Sequence, residues 1–199
     1  MSTARTSTDS PPTERIPSAK RSRLDWLNFA FDVLVQQGPE QLKITPLCEL
    51  RGVTKGSFYH HFKNRDAFID ALMAHWYDTT TQGFIDQVDS SAPALERLKA
   101  LDAVIAANNI EAEHHIRAWA LKEPKIVSHL EKIDQQRRAY LASCYVELGL
   151  DTDHANDVAL IAYASFLGMM QIYPAPSSVE VERVTLMALK AFIPNVDLK

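Results

Sequence analysis

The sequence predicts an all-α protein of about nine helices, and three observations carry that prediction. Apolar residues recur three and four positions apart through most of the chain, the spacing that lines one side of a helix. No stretch alternates apolar and polar residues for the length of a strand. Glycine is scarce, six in 199 residues, and the strongest chain breaks, Gly38-Pro39, Pro93, Gly149 and Pro174, fall between the periodic segments.

Composition narrows the class. A content of 46% hydrophobic and 23% charged residues is ordinary for a globular protein. The length suits one or two domains with a core of useful size. No apolar run approaches the roughly 18 residues that span a membrane. The opening Met1-Ser2-Thr3-Ala4-Arg5 leads into no apolar signal segment. The two cysteines, Cys48 and Cys144, have no metal-type spacing, so a cytoplasmic protein with reduced thiols is expected.

Residues 1–20, rich in Ser, Thr and Pro, are expected to form a disordered arm that turns basic at Lys20, Arg21 and Arg23. The first helix is expected over residues 21–37, with Leu24, Leu27, Phe31, Leu34 and Val35 on its buried side, Trp26 and Phe29 beside them, and Gly38-Pro39 as its stop. A short helix follows over 46–51, with the Thr45 hydroxyl ahead of Pro46 as its start. Gly52 ends it, because glycine takes the left-handed conformation at no steric cost. Val53 plugs the turn, and Thr54 offers an N-cap hydroxyl to a second short helix of about two turns. Phe58 and Phe62, four apart, share its buried side. Lys55, Ser57, Tyr59, His60 and Lys63 fall on the rest of its surface, with His61 at the boundary. Helix, glycine turn and helix make a helix-turn-helix.

Asn64 then caps a long helix over 65–80 with Phe68, Ile69, Leu72, Met73 and Trp76 as its apolar stripe. After a polar break at 87–93, Pro93 leads a helix over 94–107 with Leu95, Leu98, Leu101 and Ile105 on one face. The next segment, 111–122, holds His114, His115 and Trp119. Pro124 begins a helix reaching residue 148, its stripe made by Ile126, Leu130, Ile133, Tyr140, Cys144 and Leu148. Arg137 interrupts that stripe, with Asp134 three residues earlier as one partner and the solvent as the alternative. Thr152 or Asp153 caps a helix to about residue 173 that is rich in small side chains, among them Ala162, Ser165 and Gly168. Ser177 and Glu180 form a capping box for the last helix, 178–192. Val181, Val184 and Ala188 line one side of it and Leu186, Leu189 and Ile193 the other, so it needs two partners: its own chain on one side and a second copy on the other, the alternative being a fully intramolecular core.

The run Gly52-Val53-Thr54-Lys55-Gly56-Ser57-Phe58-Tyr59-His60-His61-Phe62, followed by Lys63-Asn64-Arg65-Asp66-Ala67-Phe68, resembles the TetR family of transcriptional regulators. The resemblance covers roughly residues 22–76, and departs from the family pattern at Lys43, where a capping Ser or Thr is usual. It implies a helix-turn-helix domain over 21–66 and a helical ligand-binding and dimerisation bundle over 67–199, the two joined by the long helix whose tilt a ligand changes. It implies double-stranded DNA as partner, a homodimer, and a small-molecule effector; the alternative is a constitutive regulator without an effector. No cofactor and no metal are called for.

Charge agrees with that layout. Residues 1–65 hold 10 Lys and Arg against 6 Asp and Glu, whereas residues 66–199 hold 11 against 19. The basic excess sits with the helix-turn-helix, although the whole chain carries −4. Expected DNA contacts are Thr54, Lys55, Ser57, Tyr59, His60, Lys63 and Arg65. Lys55 suits a guanine or a phosphate, and Ser57 and His60 suit base edges. Tyr59 matches a family tyrosine whose hydroxyl meets phosphate, and Thr54, Lys63 and Arg65 suit phosphate. Arg21 and Arg23 divide evenly between a backbone or minor-groove contact and a solvated tail. Trp76, Phe84, Trp119, Tyr140 and Tyr163 are the candidates for an effector cavity, and Ala162, Ser165, Gly168, Val184 and Ala188 for the dimer interface.

Enzyme chemistry finds no constellation. The sequence has no P-loop, G-x-G-x-x-G, G-x-S-x-G or H-E-x-x-H. His60-His61 and His114-His115 are adjacent pairs, which point about 100° apart on a helix and do not chelate one metal readily. Glu111 and His115 supply two ligands at most.

Overall fold

A computed structural model describes residues 22–108 and 110–193. The expected disordered arm, with Lys20 and Arg21, lies outside the described residues. Nine helices and no strand occur among those described. They are α1 Arg23–Gln37, α2 Ile44–Arg51, α3 Lys55–Tyr59, α4 Arg65–Tyr77, α5 Ala94–Ala107, α6 Glu111–Ala120, α7 Pro124–Glu147, α8 Thr152–Met169 and α9 Ser178–Phe192. A 3-10 turn, Pro39–Leu42, joins α1 to α2, and a π-turn, Asp78–Gln82, extends α4 into one further turn, Gly83–Ile85.

The ends follow local chemistry. Ser22 caps α1 in a reciprocal box with Asp25, and Ser177 does the same for α9 with Glu180. Asn64 caps α4 by accepting from the Ala67 amide at 2.8 Å. At α8 the cap is Asp151, one residue before the expected Thr152, because its carboxylate accepts from the amides of both Asp153 and His154. That helix ends at Met169 rather than near 173. α2 begins at Ile44 with Lys43 as its N-cap, so Thr45 and Pro46 lie inside its first turn, where proline costs no helical hydrogen bond.

Two apolar clusters hold the fold. The first joins α1, α2, α3 and α4 to Ile116 and Trp119 of α6 and to Ile126, Leu130 and Ile133 of α7. The second lies between α5, α7, α8 and α9, around Leu98, Cys144, Tyr145, Val158 and Leu189. The stripe expected on α4 is buried as a whole. The stripe expected on α1 is rotated. Trp26, Leu27, Ala30, Val33 and Leu34 are buried, Phe31 and Val35 are half-buried, and Leu24 is 51% exposed. Tyr140 on α7 and Leu148 just past its end are half-buried at the edge of the second cluster.

Candidate nucleic-acid interface and the polar core behind it

Gly52 carries φ 67° and ψ 38°, the left-handed conformation that lets its amide return to the carbonyls of Cys48 and Glu49. The Val53 amide also reaches Cys48 O, at 3.0 Å. Cys48 is buried beneath this turn, and burial pushes its thiol up although Lys55 lies near enough to pull it down, which suits a packed, unreactive sulfur. Two local expectations are corrected. α3 spans five residues, not two full turns, because the chain passes into a turn at His60-His61. Thr54 stands at the N-cap position, but its hydroxyl makes no capping bond; only its carbonyl is engaged, by the Ser57 amide at 3.0 Å.

A helix this short is not stable by its own hydrogen bonds. Phe58, fully buried, anchors it. Its ring centroid lies 5.6 Å from that of Trp26, 5.2 Å from Phe62 and 5.4 Å from Phe68. Such pairs contribute about 0.5–1.5 kcal/mol each beyond their buried area. Arg51 stacks over the Trp26 and Phe29 rings and donates to Asp25 O at 2.8 Å, so this arginine braces the domain rather than projecting from it. Arg23 covers the Phe62 ring, 5.4 Å from its centroid.

With Phe58 turned inward, Thr54, Lys55, Tyr59, His60 and Lys63 are exposed and Ser57 is half-buried. No side-chain hydrogen bond or ion pair among the described residues engages any of these six. A Cβ at Gly56 would meet only Thr54 Oγ1, at 3.5 Å, so the protein itself does not need glycine there and the helix backbone stands open to a close approach. Arg65 is placed differently. It is half-buried, and its Nη1 donates to Glu123 Oε2 at 2.8 Å, at the junction with α7.

The five aromatic residues expected around an effector do not line one space. Trp76 and Trp119 belong to the first apolar cluster, so Trp119 shares its packing with the helix-turn-helix. Tyr140 packs against the second cluster, and Phe84 is buried on the turn after α4. A cleft of about 340 Å³ between α4 and α7 is lined instead by residues that include Met73, Tyr77, His129, Lys132 and Ile133.

Trp76 and Tyr163 do converge, on Arg137. The guanidinium lies over the Trp76 ring at 5.1 Å and donates to Glu113 Oε2 at 2.9 Å, to Thr81 Oγ1 at 2.9 Å and to the Tyr163 hydroxyl at 3.2 Å. Asp134, expected as its partner, is taken by Arg117 in a two-pronged pair at 2.7 and 3.1 Å and accepts from the Tyr163 hydroxyl at 2.8 Å. Arg117 also donates to Glu113 Oε1 at 2.7 Å. Two cations thus face two carboxylates, and the buried charges compensate. Burial works against the charge of each arginine, but Asp134 first and then Glu113 hold Arg117 above the ordinary range, and Glu113 first and then Tyr163 hold Arg137 there. Burial pushes the Tyr163 hydroxyl up to about 12. Glu113 and Arg117, four apart on α6, form a pair legible from spacing. Thr79-Thr80-Thr81 was a sign of irregular helix, since β-branched side chains crowd the turn before them. The convergence itself joins residues 24 to 56 positions apart and has no local signal.

Of the residues expected at a dimer interface, Ser165 and Gly168 are exposed, and Ala162, Val184 and Ala188 are half-buried. Leu160 and Ile161 on α8 and Val179 and Met187 on α9 are exposed around them. Val179, Arg183, Leu186 and Met187 border a groove of about 560 Å³.

Known proteins resemble this chain in its N-terminal segment and in its fold. Residues 27–72 match the model of the bacterial regulatory proteins of the tetR family. The HTH-type transcriptional repressor KstR2 of Mycobacterium tuberculosis (strain H37Rv) is 29% identical over 103 residues, 51% of this chain and 50% of that protein. Its counterpart in Rhodococcus jostii is 23% identical over 137 residues, 69% of this chain and 64% of that one. The chain thus matches about half to two thirds of the length of these curated relatives. Among solved structures, reduced Escherichia coli NemR aligns with a TM-score of 0.72 at 20% identity, over 88% of this chain and 99% of that one. The ketosteroid transcriptional regulator KstR2 of Mycobacterium tuberculosis aligns with a TM-score of 0.59 at 20% identity, over 89% and 95%. By its helix-turn-helix segment, residues 27–72, the chain is similar to the TetR family of transcriptional regulators, and the all-helical fold built around that segment is shared with these solved structures.

Proposed function

We propose that this protein is a cytoplasmic transcriptional repressor that binds a palindromic operator as a homodimer, releases it when a small molecule enters the bundle, and catalyses no reaction. The observation that carries the DNA reading is the division of α3 and its flanks. Phe58 is locked inward, while Lys55, Tyr59, His60 and Lys63 stand exposed, with no side-chain hydrogen bond or ion pair among the described residues. Lys55 supplies charge for a guanine or a phosphate, and Tyr59, Thr54 and Lys63 supply phosphate contacts. Ser57 and His60 read base edges, Gly56 lets the backbone approach, and Arg65 flanks the surface from the junction. In a dimer the two α3 helices reach successive major grooves when about 34–36 Å apart. α8 and α9, with their exposed apolar side chains, supply the dimer contact. Repression is carried over from the KstR2 relatives, which bear that name.

The test is selection of bound fragments from genomic DNA, followed by gel shift on the enriched sequence. A single enriched palindrome supports the proposal, and no enrichment over random DNA contradicts it.

The satisfied polar core supports a second reading, a constitutive regulator with no effector. Thermal shift against a metabolite library separates the two, because a ligand that binds only the folded protein raises its stability by mass action.

A further inference from the structure

α4 has one end in each half of the molecule. Near its start, Phe68 packs against Phe58 at 5.4 Å and against Phe62 at 5.1 Å, directly behind α3. Beyond its other end lies the π-turn, where the Gly83 amide returns to the Asp78 carbonyl five residues back. A π-turn is an extra residue in the helical ladder, and such insertions are where helices bend.

Three features hold this turn. The hydroxyls of Thr79 and Thr80 donate to the His75 and Trp76 carbonyls, each at 2.8 Å. A Cβ at Gly83 would stand 2.7 Å from the Asp78 carbonyl oxygen, so any larger residue forces the turn to move. Thr81 is buried, and its hydroxyl oxygen accepts from Arg137 Nε at 2.9 Å. The same guanidinium is fixed by Glu113 of α6 and Tyr163 of α8. α8 carries the exposed apolar face and α6 packs on α1, so Arg137 ties the π-turn to both.

Resting on the proposed DNA-binding function, we propose that Arg137 is a positioning residue for DNA recognition: through Thr81 it fixes the π-turn from which α4 runs to the back of α3. The lever is long enough to matter. Thirteen residues of α4 at about 1.5 Å each span about 20 Å, so a pivot of about 10° moves the far end by about 3 Å, a full hydrogen-bond length. A rearrangement of the Glu113–Arg137–Tyr163 contacts is thereby felt at α3, without any movement inside the helix-turn-helix.

The experiment uses the full chain, with the operator found by selection on the wild type. Thr81→Val keeps the shape and removes the acceptor; Thr81→Ser keeps the acceptor and serves as rescue. Gly83→Ala disturbs the same turn by another route. Leu98→Val, in the second apolar cluster, controls for reduced stability alone. Amide hydrogen exchange over residues 78–83 and operator affinity are measured well below the melting temperature. Thr81→Val and Gly83→Ala are expected to speed exchange there and weaken operator binding by about two- to thirty-fold. Thr81→Ser and Leu98→Val are expected to leave both as in the wild type. Wild-type affinity in Thr81→Val, with or without faster exchange, overturns the proposal, and so does weaker binding without faster exchange or an equal loss in Leu98→Val. A wild-type protein that enriches no DNA overturns the proposed function as well, an outcome the variants cannot mimic.

Discussion

The Phe58 ring meets the Trp26 indole edge to face, with centroids 5.6 Å apart and planes at 88°. That contact locks the five-residue α3 onto α1, and the exposed faces of Lys55 and Tyr59 follow from it. Phe58→Ala is therefore expected to cost about 3–5 kcal/mol, as truncation of a buried phenylalanine does. Urea unfolding followed by circular dichroism measures it. A loss below about 1 kcal/mol, the range of surface substitutions, contradicts the anchor.

A second prediction concerns pH. Tyr163 has its hydroxyl pushed up from an ordinary value of 10.0 to about 12, first by burial and then by Glu113, against the pull of Arg137. The folded state holds this proton longer than the unfolded chain does. The stabilisation is fully present below pH about 10 and is lost as pH rises through about 12. In a titration of phenolate absorbance, the difference between the wild type and Tyr163→Phe is expected to stay flat through pH 10 and rise only towards 12. A full tyrosinate signal from Tyr163 by pH 10 shows a solvated hydroxyl instead.

The dimer is tested at Gly168. A Cβ there meets nothing within 4 Å, so a glutamate fits the single protomer and acts only where a second copy covers α8. Wild-type protein is expected to be dimeric at micromolar concentration by light scattering, and Gly168→Glu monomeric with unchanged helix content, because the interface would bury an unpaired charge. A wild type that is already monomeric, or a Gly168→Glu variant that stays dimeric, removes α8 from the interface.

The helix order was legible because its signals are local. Ser177 and Glu180 announced α9, Pro124 announced α7, and Gly52 announced the turn, each within four residues of what it controls. The face of α1 was less so. Leu24-Leu27-Phe31-Leu34 and Trp26-Ala30-Val33 are overlapping stripes on one helix, and the buried face takes Leu27 and Leu34 from the first with all of the second, turned so that Trp26 meets Phe58. Arg137 was legible as an anomaly in an apolar stripe, but its partner was not. The near choice, Asp134, loses to Glu113 because Arg117 approaches Asp134 from α6 with both of its terminal nitrogens. Thr54 shows the opposite case, a capping residue in a capping position whose hydroxyl caps nothing.

The central claim is that α3 and its flanks read DNA. Its most direct measurement is fluorescence anisotropy of wild type and four variants on operator and scrambled duplexes over a salt series. Lys55→Ala is expected to weaken both duplexes and to flatten the salt slope by about one where Lys55 neutralises a phosphate. Tyr59→Phe, which removes a neutral hydroxyl, is expected to weaken both duplexes alike with the slope unchanged. Ser57→Ala and His60→Ala are each expected to cost about 1–3 kcal/mol on operator where the side chain reads a base, and to relax the preference at one position in each half-site. Wild-type binding by all four variants on both duplexes would contradict the claim and remove α3 from the DNA-reading surface.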